Sequence, residues 1–353
     1  MVRKIVLLLA VMAVLLSSIP VGAAPVLRLS DMVDILPEWP VTSSEAGGMF
    51  IFSDSPERVE REGVLYQDNV KGDVRLFFHH VNGMPEQKRL VVMLVNTGTT
   101  PAKVDVLRYG ISKPDLDYLR AGRSIQADYL KGSLQHKFEL KPGKSVLLPP
   151  EASANLVNPG AILTGMMDFH SDQEVRLIVA VAPVGANSEL FVTQAPMLPP
   201  GRPHLRGTFI HGDRLLLAKR SYDPGKDGPV AITMGDGEID SFLVGRDATT
   251  GQTVRDEGNY GVVYRVLIPT VGQGKIRCYL NPRGGVYAGW VAVKTKLGPT
   301  LVGTPSKSIA FGMDTLADFE LIAEFSAGES LWVTLSPPGA SNLPVRLMLL
   351  PAF

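Results

Sequence analysis

The chain has 353 residues, of which 35 are Gly and 27 are Pro, and 45% of its residues are hydrophobic. This length allows about two domains, and the apolar content supports a packed core and excludes a disordered chain. Lysine plus arginine equals aspartate plus glutamate at 35 each. Because the formal net charge is zero, the composition gives no support for general nucleic-acid binding, and no nucleic acid is expected as a partner.

The N-terminus has the pattern of an export signal. Arg3 and Lys4 form a basic head, Ile5 to Leu16 form an unbroken apolar run, and small residues precede a cleavage site. The run is shorter than the roughly 20 residues that span a bilayer, which favours a cleaved signal peptide over residues 1–23 rather than an uncleaved anchor. No later stretch is apolar for long enough to span a membrane. We therefore predict a secreted or envelope-associated protein with no membrane span after cleavage.

Short apolar runs rich in β-branched residues follow one another along the mature chain, with glycine or proline between them. Arg89–Val95, Val175–Val181 and Val286–Val293 are examples. Runs of this length without intervening helices predict antiparallel sandwiches. The predicted fold is mainly β, with two antiparallel β-sandwich domains of which the N-terminal one is immunoglobulin-like. Cys278 is the only cysteine and lies in an alternating run, so it is expected to be a buried strand residue.

Two segments have helical character, and one has the composition of a connector. Pro114–Lys131 is the better helix candidate, with Asp115 as a cap and Gly122 as an interruption, and Thr315–Glu324 is the second. Four prolines within residues 195–204 favour a stiff, extended linker. This linker divides the mature chain into predicted domains at residues 25–194 and 205–353.

Soft and imidazole ligands occur together in the segment that contains Met166, Asp168 and His170. These three residues have the same strand parity, so they project from one face, and thioether and imidazole groups suit copper. Core methionines beside a histidine at the edge of a sheet give the same pattern. The residues are therefore a candidate metal site, with copper as the candidate ion.

A second candidate ion is calcium, because acidic residues are frequent between Asp213 and Asp247. Asp236, Glu238 and Asp240 alternate along one short segment, and oxygen-rich loops bind calcium. However, Ser241 occupies the position where an EF-hand loop requires glycine, and basic residues are interspersed. A solvated, charge-balanced loop is the alternative interpretation.

Two glycine-framed segments contain aromatic residues suited to stacking on sugar rings. Tyr260 lies in the first segment, and Tyr287 and Trp290 lie in the second. Exposed aromatic rings at these positions would form a flat face for a glycan. The alternative is that the rings pack inside a sandwich, because neighbouring valines make both strand faces apolar.

Six segments together resemble one family: Ser53–Glu57, Gly63–Arg75, Leu205–Phe209, Gly258–Gly261, Gly284–Gly289 and Ser336–Val345. They are similar to exported Firmicutes proteins commonly labelled as copper amine oxidase N-terminal domain proteins. The resemblance covers most of the mature chain and implies an envelope-associated β protein. The motifs of the amine oxidase reaction are different here, because Asn259-Tyr260 is followed by Gly261 where an acid is required and no His-x-His pair occurs.

These observations lead to a hypothesis about function. We expect an exported, non-catalytic protein of the cell envelope that binds a wall polymer or another surface protein, without a required cofactor. A copper-binding or copper amine oxidase-like module is the first alternative. A hydrolase of wall polymers, acting through a carboxylate pair among the 35 acidic residues, is the second.

Overall fold

A computed structural model describes residues 33–132, 135–149, 156–313 and 318–352. The predicted signal peptide lies outside the described residues. Strands dominate the described part of the chain and are accompanied by two short helices. The prediction of a mainly β fold is therefore confirmed.

The described part before residue 200 contains ten strands and two helices. In chain order these are β1 (Val41–Ala46), β2 (Met49–Ser53), β3 (Arg58–Val59), β4 (Gly63–Asn82), β5 (Lys88–Val95), β6 (Ala102–Ile111), α1 (Tyr118–Lys131), β7 (His136–Leu140), β8 (Ser145–Leu147), β9 (Leu156–Val157), β10 (Ile162–Pro183) and α2 (Ser188–Gln194).

The described part after residue 200 contains twelve strands. They are β11 (Arg206–Phe209), β12 (Asp213–Ala218), β13 (Val230–Met234), β14 (Val244–Arg246), β15 (Thr253–Arg255), β16 (Val263–Pro269), β17 (Lys275–Pro282), β18 (Gly289–Thr295), β19 (Gly298–Thr304), β20 (Glu320–Ser326), β21 (Ser330–Leu335) and β22 (Val345–Ala352).

The strands form three sheets. The largest follows the order β15-β14-β11-β2-β4-β10-β5-β8, with β3, β6, β7 and β9 attached to it. A six-stranded sheet has the order β1-β12-β16-β21-β18-β19, and a four-stranded sheet has the order β13-β22-β17-β20. Most pairs are antiparallel, as predicted, but β2 and β3 each pair with β4 in parallel and β12 pairs with β16 in parallel.

The long strands β4 and β10 each extend through two parts of the largest sheet. They pair with each other over most of their length, and β10 also pairs with β6 in its first part and with β5 in its second. A register shift between Ser171 and Val175 separates the two parts, and such an irregularity lets a strand bend. Phe169 and Leu177, one from each part, are buried in a common core.

A second core lies between the other two sheets. Val266 and Leu335 come from the six-stranded sheet, whereas Leu280 and Leu347 come from the four-stranded sheet. Phe77 of β4 belongs to the same cluster of buried residues. Part of the largest sheet therefore packs against this sandwich-like pair.

Main-chain pairing crosses the predicted linker at residues 195–204. Strand β1 pairs with β12 along its whole length, and β2 pairs with β11, so strands from both predicted domains share sheets. The linker itself is bound to β4, because the Val64 N–H donates to Pro196 O at 2.9 Å and the Leu198 N–H donates to Val64 O at 2.8 Å. The predicted boundaries therefore do not coincide with the edges of the sheets. The immunoglobulin-like classification stays a prediction.

Helix α1 lies within the segment predicted to be helical, but its start differs from the prediction. Asp117 caps the helix, and its carboxylate accepts the Arg120 N–H at 3.0 Å. Gly122 does not interrupt the helix. It allows close packing, because a Cβ atom there would lie 2.2 Å from Gly339 O.

The second helix prediction, Thr315–Glu324, is wrong over its described residues from 320 onward, which belong to β20. Ile322 and Phe325 are both buried at a spacing of three, which imitates a helical period. The pairing of β20 with β17 explains this spacing, because a register shift opposite Cys278 and Tyr279 changes the strand parity beside Ile322.

Two further predictions concern Cys278 and membrane spans. Cys278 lies in β17 and is fully buried, and burial raises the pKa of its thiol. The thiol is therefore held in its unreactive, protonated form. Neither described helix is long and apolar enough to cross a membrane.

Candidate functional site

The three aromatic residues predicted to stack on a glycan do not form an exposed face. Tyr287 is fully buried and packs edge-on against Phe311, because a large apolar ring gains most from leaving water. Tyr260 is partly buried, and its hydroxyl donates to Ser341 O at 2.7 Å. The guanidinium of Arg123 lies 5.5 Å from the centroid of the Trp290 ring.

The structure places Met166, Asp168 and His170 on one face of β10, as predicted, but each contacts different groups. The Met166 sulfur accepts a long contact from Ser336 Oγ at 3.9 Å, and His170 Nδ1 lies 2.7 Å from a carboxylate oxygen of Asp73. Both oxygens of Asp168 accept hydrogen bonds from the chain. The three donors therefore do not converge on one ion. Within the described ranges, no group of three His, Cys, Asp or Glu residues has the geometry of a metal site.

The predicted calcium segment forms a turn held by its own carboxylates. Asp236 accepts the main-chain N–H groups of Glu238, Ile239 and Asp240 at 2.8–3.2 Å. Asp240 is buried and pairs with Arg214 at 2.5 Å. These oxygens are occupied within the chain, which corresponds to the charge-balanced alternative for this segment.

A groove of about 760 Å³ lies on one face of the largest sheet. Its floor consists of apolar side chains that include Val64, Met93, Val95, Ile178 and Met197. Its rim is polar and contains amide, hydroxyl and charged groups. A second cavity of about 510 Å³ shares lining residues with the first, so the two form one elongated depression. An apolar floor with a few polar groups is typical of a binding site.

Strand register arranges the groove floor in rows across the sheet. Ile178 on β10 lies opposite Met93 on β5, which in turn lies opposite Leu147 on β8. In the next row, Val95 of β5 lies between Arg176 and Ser145. Side chains directly opposite on neighbouring strands point to the same face. The floor therefore changes from aliphatic to polar over one row.

Helix α2 forms one wall of the groove. The Asn187 side chain caps the helix by accepting the Leu190 N–H at 3.0 Å. Phe191 and Val192 pack against the apolar face of the sheet, whereas Leu190 is 57% exposed at the groove. Ser145 Oγ donates to the Glu189 carboxylate, which fixes the distance between the helix and β8.

Within the described residues, strand β8 has no partner strand on the edge that lies beside the groove. The Leu148 N–H donates to Val92 O at 2.8 Å, and the Asn96 N–H donates to Lys144 O at 3.0 Å. The even-numbered residues of this strand are thus the hydrogen-bonded ones, and the N–H and C=O groups of Ser145 and Leu147 point away from β5. Among the described strands, β8 pairs only with β5. An extended segment could therefore add to this edge.

A buried cluster of charged residues lies away from the groove, and we call it the arginine cluster: Arg75, Arg108, Tyr129, Asp168 and Asp213. Asp168 accepts hydrogen bonds from Arg75 at 2.8 Å, Arg108 at 2.9 Å and the Tyr129 hydroxyl at 2.8 Å. Burial raises the pKa of Asp168, but these partners outweigh burial and hold the pKa below its usual value. Arg75 also lies 2.7 Å from Asp213, at the start of β12.

A second group of acidic residues contains the buried Asp256, the half-buried Asp54 and the exposed Glu57, and we call it the carboxyl cluster. Burial raises the pKa of Asp54, and the nearby charges of Glu57 and Asp256 raise it further. Burial also raises the pKa of Asp256. Asp256 accepts the Tyr260 N–H at 3.0 Å with one oxygen, but its other oxygen has no hydrogen-bond partner within the described ranges.

A third buried polar group is centred on Arg206. Its guanidinium donates to Asp247 at 2.9 Å and to the carbonyl oxygens of Leu65 and Leu198. His204 lies 2.7 Å from the same carboxylate. Burial favours a raised pKa for Asp247, but hydrogen bonds from Thr249, Arg206 and His204 lower it to about 2. This group ties the linker segment to β4 and to the turn that follows β14.

The groove was not among the sites predicted from the sequence. Its lining comes from four strands and a helix spread between residues 64 and 197, and no local pattern brings such distant residues together. Helix α2 is only seven residues long, too short for a clear periodic signal. The Asn187-Ser188-Glu189 sequence before apolar residues is the one signal that could have indicated a helix start.

The fold and groove together define a mainly β protein of sandwich-like sheets with an elongated surface depression. No protein-family model matches the chain, and no curated protein matches it. Among solved structures, a xanthan lyase from Paenibacillus is 9% identical with a TM-score of 0.18, over 90% of this chain and 26% of that one. The CUB1-EGF-CUB2 region of human MASP-1/3 is 11% identical with a TM-score of 0.19, over 78% and 99% of the two chains. TM-scores this low do not identify a common fold.

Proposed function

We propose that this protein is an exported, non-catalytic component of the cell envelope that binds another envelope protein. The export pattern at residues 1–23 supports the location. The bound element is an extended segment of the partner, which pairs with the open edge of β8 and places side chains in the adjoining groove. This proposal selects the protein ligand from the two ligand classes expected from the sequence.

The observation that carries the proposal is the open edge of β8 beside an aliphatic floor. The outward N–H and C=O groups of Ser145 and Leu147 match the main chain of an extended peptide. Side chains of such a peptide alternate in direction, so every second one points toward the sheet face. Main-chain pairing supplies affinity, and the floor selects the side chains.

The chemistry of the floor favours a peptide over a sugar in this groove. Its apolar lining consists of aliphatic and methionine side chains, and no aromatic ring is among the lining residues that the structure describes. Methionine adapts to varied apolar partners.

Selection of peptides from a random library displayed on phage tests the proposal. We expect the purified protein to enrich peptides with aliphatic residues at alternate positions. Leu190→Glu places a charge at the groove wall and should weaken their binding about tenfold, which corresponds to about 1.4 kcal/mol. Leu297→Glu is the matched control, because Leu297 is 94% exposed on the β18–β19 hairpin.

Chemical modification of the selected peptides tests the pairing mode. N-methylation removes a main-chain donor, and only alternate residues of an added strand donate to β8. Methylation of one alternate set should abolish binding, whereas methylation of the other set should leave binding nearly unchanged. Equal effects of both sets, or equal binding by Leu190→Glu and the unmodified protein, would contradict the proposal.

A further inference from the structure

The outer face of the six-stranded sheet carries an exposed indole outside the set of aromatic residues predicted to bind a ligand. Trp332 lies on β21 and is 40% exposed. It stands between Leu267 on β16 and Lys294 on β18, which lie directly opposite it in the two neighbouring strands. Leu217 extends the same row onto β12. The row across the six strands is about 24 Å wide at the usual strand spacing.

The charges on this face are predominantly positive. Strand register places Arg265 and Lys294 at outward positions, and exposed Lys219 follows the outward Leu217 at the end of β12. The acidic side chain with the same parity on β12 is Asp213, which is paired with Arg75 and Arg265. Lys294 is an exposed residue of β18. The open cations therefore complement a negatively charged ligand.

The remaining outward groups can form hydrogen bonds with hydroxyl-rich ligands. Thr334 lies opposite Arg265 and Ala292, one row from Trp332. Arg265 donates from Nε and Nη2 to Asp213 at 3.1 and 3.0 Å. Its Nη1 atom takes no part in these two hydrogen bonds. An exposed indole flanked by hydroxyl and cationic groups is suited to a sugar ring that carries an acidic substituent.

We propose that this outer face, which we call the Trp332 face, binds an anionic polysaccharide. A sugar ring stacks on Trp332 while its carboxylate or phosphate groups contact Lys294 and Lys219. Leu217 and Leu267 support the apolar side of neighbouring sugar rings. This site is separate from the β8 groove, and the proposal is independent of the polypeptide ligand proposed there.

Affinity electrophoresis in gels that contain polygalacturonate tests the proposal, with neutral dextran as the comparison. We expect polygalacturonate to retard the protein and dextran to have little effect. Trp332→Ala should weaken the retardation about tenfold, and Lys294→Glu should weaken it about fivefold and reduce its salt dependence. Leu321→Ala and Lys307→Glu are matched controls, because both residues are exposed elsewhere, and both variants should behave as the unmodified protein.

Further measurements separate this proposal from other ligands of the face. Equal retardation by dextran would overturn the role of charge, and equal binding of a single-stranded oligonucleotide would overturn selectivity for a polysaccharide. A dimer in sedimentation that dissociates on Trp332→Ala would identify the face as a contact between copies and overturn the proposal. Leu190→Glu should retain polygalacturonate binding, which distinguishes failure at this face from failure at the groove.

Discussion

The arginine cluster and the carboxyl cluster each contain a carboxyl group removed from water, but they differ in how its charge is neutralised. Asp168 accepts hydrogen bonds from two arginines and a tyrosine, and its pKa is lowered. Asp256 accepts one main-chain N–H, its second oxygen has no hydrogen-bond partner among the described residues, and its pKa is raised. Hydrogen bonds from two arginines favour the charged form of Asp168, whereas burial of Asp256 outweighs the nearby charge of Arg214 and favours its protonated form.

Because of this difference, we expect substitutions in the two clusters to change the free energy of unfolding in opposite directions. The arginine cluster joins β4, β6, β10, α1 and β12, so it connects strands from both sides of the linker. Loss of one member leaves buried charges without partners. The carboxyl cluster already contains unpaired oxygens, so removal of an ionisable group there relieves a cost. Stability measurements on single variants test this assignment.

The largest effect is expected from Asp168→Ala. The substitution leaves Arg75 buried and Arg108 partly buried without their shared carboxylate, and loss of one partner of a buried pair costs about 3–5 kcal/mol. Urea denaturation measures the change in the free energy of unfolding. Asp105→Ala is the control, because Asp105 pairs with exposed Lys137 and should contribute no more than about 1 kcal/mol. A loss at Asp168 as small as at Asp105 would contradict the assignment.

The next effect is a loss of stability as the solution is acidified. Burial lowers the pKa of His79 to about 3 and that of His80 to about 4. The unfolded chain binds these protons near pH 6.5, so stability is complete above that pH and falls as the pH decreases. By pH 4, each histidine contributes at most about 3 kcal/mol of this loss.

The variant His79→Gln removes the contribution of one of the two histidines to this pH dependence. The free energy of unfolding of this variant should change less steeply between about pH 6.5 and 4, by up to about 1.4 kcal/mol per pH unit. Denaturant titrations at several pH values measure the slope, and the starting stability of the variant does not affect the comparison. An unchanged slope would show that His79 is not held neutral in the folded protein.

The smallest effect, opposite in sign, is expected from Asp256→Asn. The amide keeps an oxygen that can accept the Tyr260 N–H and removes the buried ionisable group. Because the folded pKa is raised, the native carboxyl costs stability as the pH rises above its unfolded value near 3.8. The variant should therefore gain about 1 kcal/mol at pH 7 and lose this gain near pH 4. A loss of stability at pH 7 would contradict this prediction and indicate that both carboxylate oxygens of Asp256 have hydrogen-bond partners in the folded protein.

The class of fold could be predicted from the sequence because strand patterns are local. Apolar runs such as Arg89–Val95 and Val175–Val181 lie in β5 and β10. Each run is set by the residues within it and by the turns that bound it, so no knowledge of distant segments is needed. The same local pattern does not tell which strands pair, and the parallel pairs of β4 and β12 were not predicted.

The exposure of Trp332 is an example of a feature that the local pattern of a strand indicates. Ser330, Trp332 and Thr334 alternate with apolar residues that are buried, namely Leu331, Val333 and Leu335. This alternation places the indole on the polar face of the strand. The sequence therefore indicates that the ring is accessible, whereas the cations beside it come from neighbouring strands that only the fold brings together.

The groove, the clusters and the true environment of the predicted aromatic residues depend on contacts between distant segments. Tyr287 is buried because Phe311 packs on it, and the ring of Trp290 lies beside Arg123, which comes from α1. The common strand face of Met166 and its two partners was predicted correctly, but parity does not give the groups that the neighbouring strands supply. Sequence patterns indicate the face of each strand, whereas the packing of the sheets decides what each side chain contacts.

The position of β1 has a consequence for how a nascent chain acquires its structure. This strand pairs with β12, about 170 residues later in the chain, and no pairing of β1 is available before that point among the described strands. Closure of such a long loop is slow, and the unpaired strand presents open main-chain groups to other molecules. During synthesis, β1 therefore has none of its described partner strands until residues 213–218 have been made.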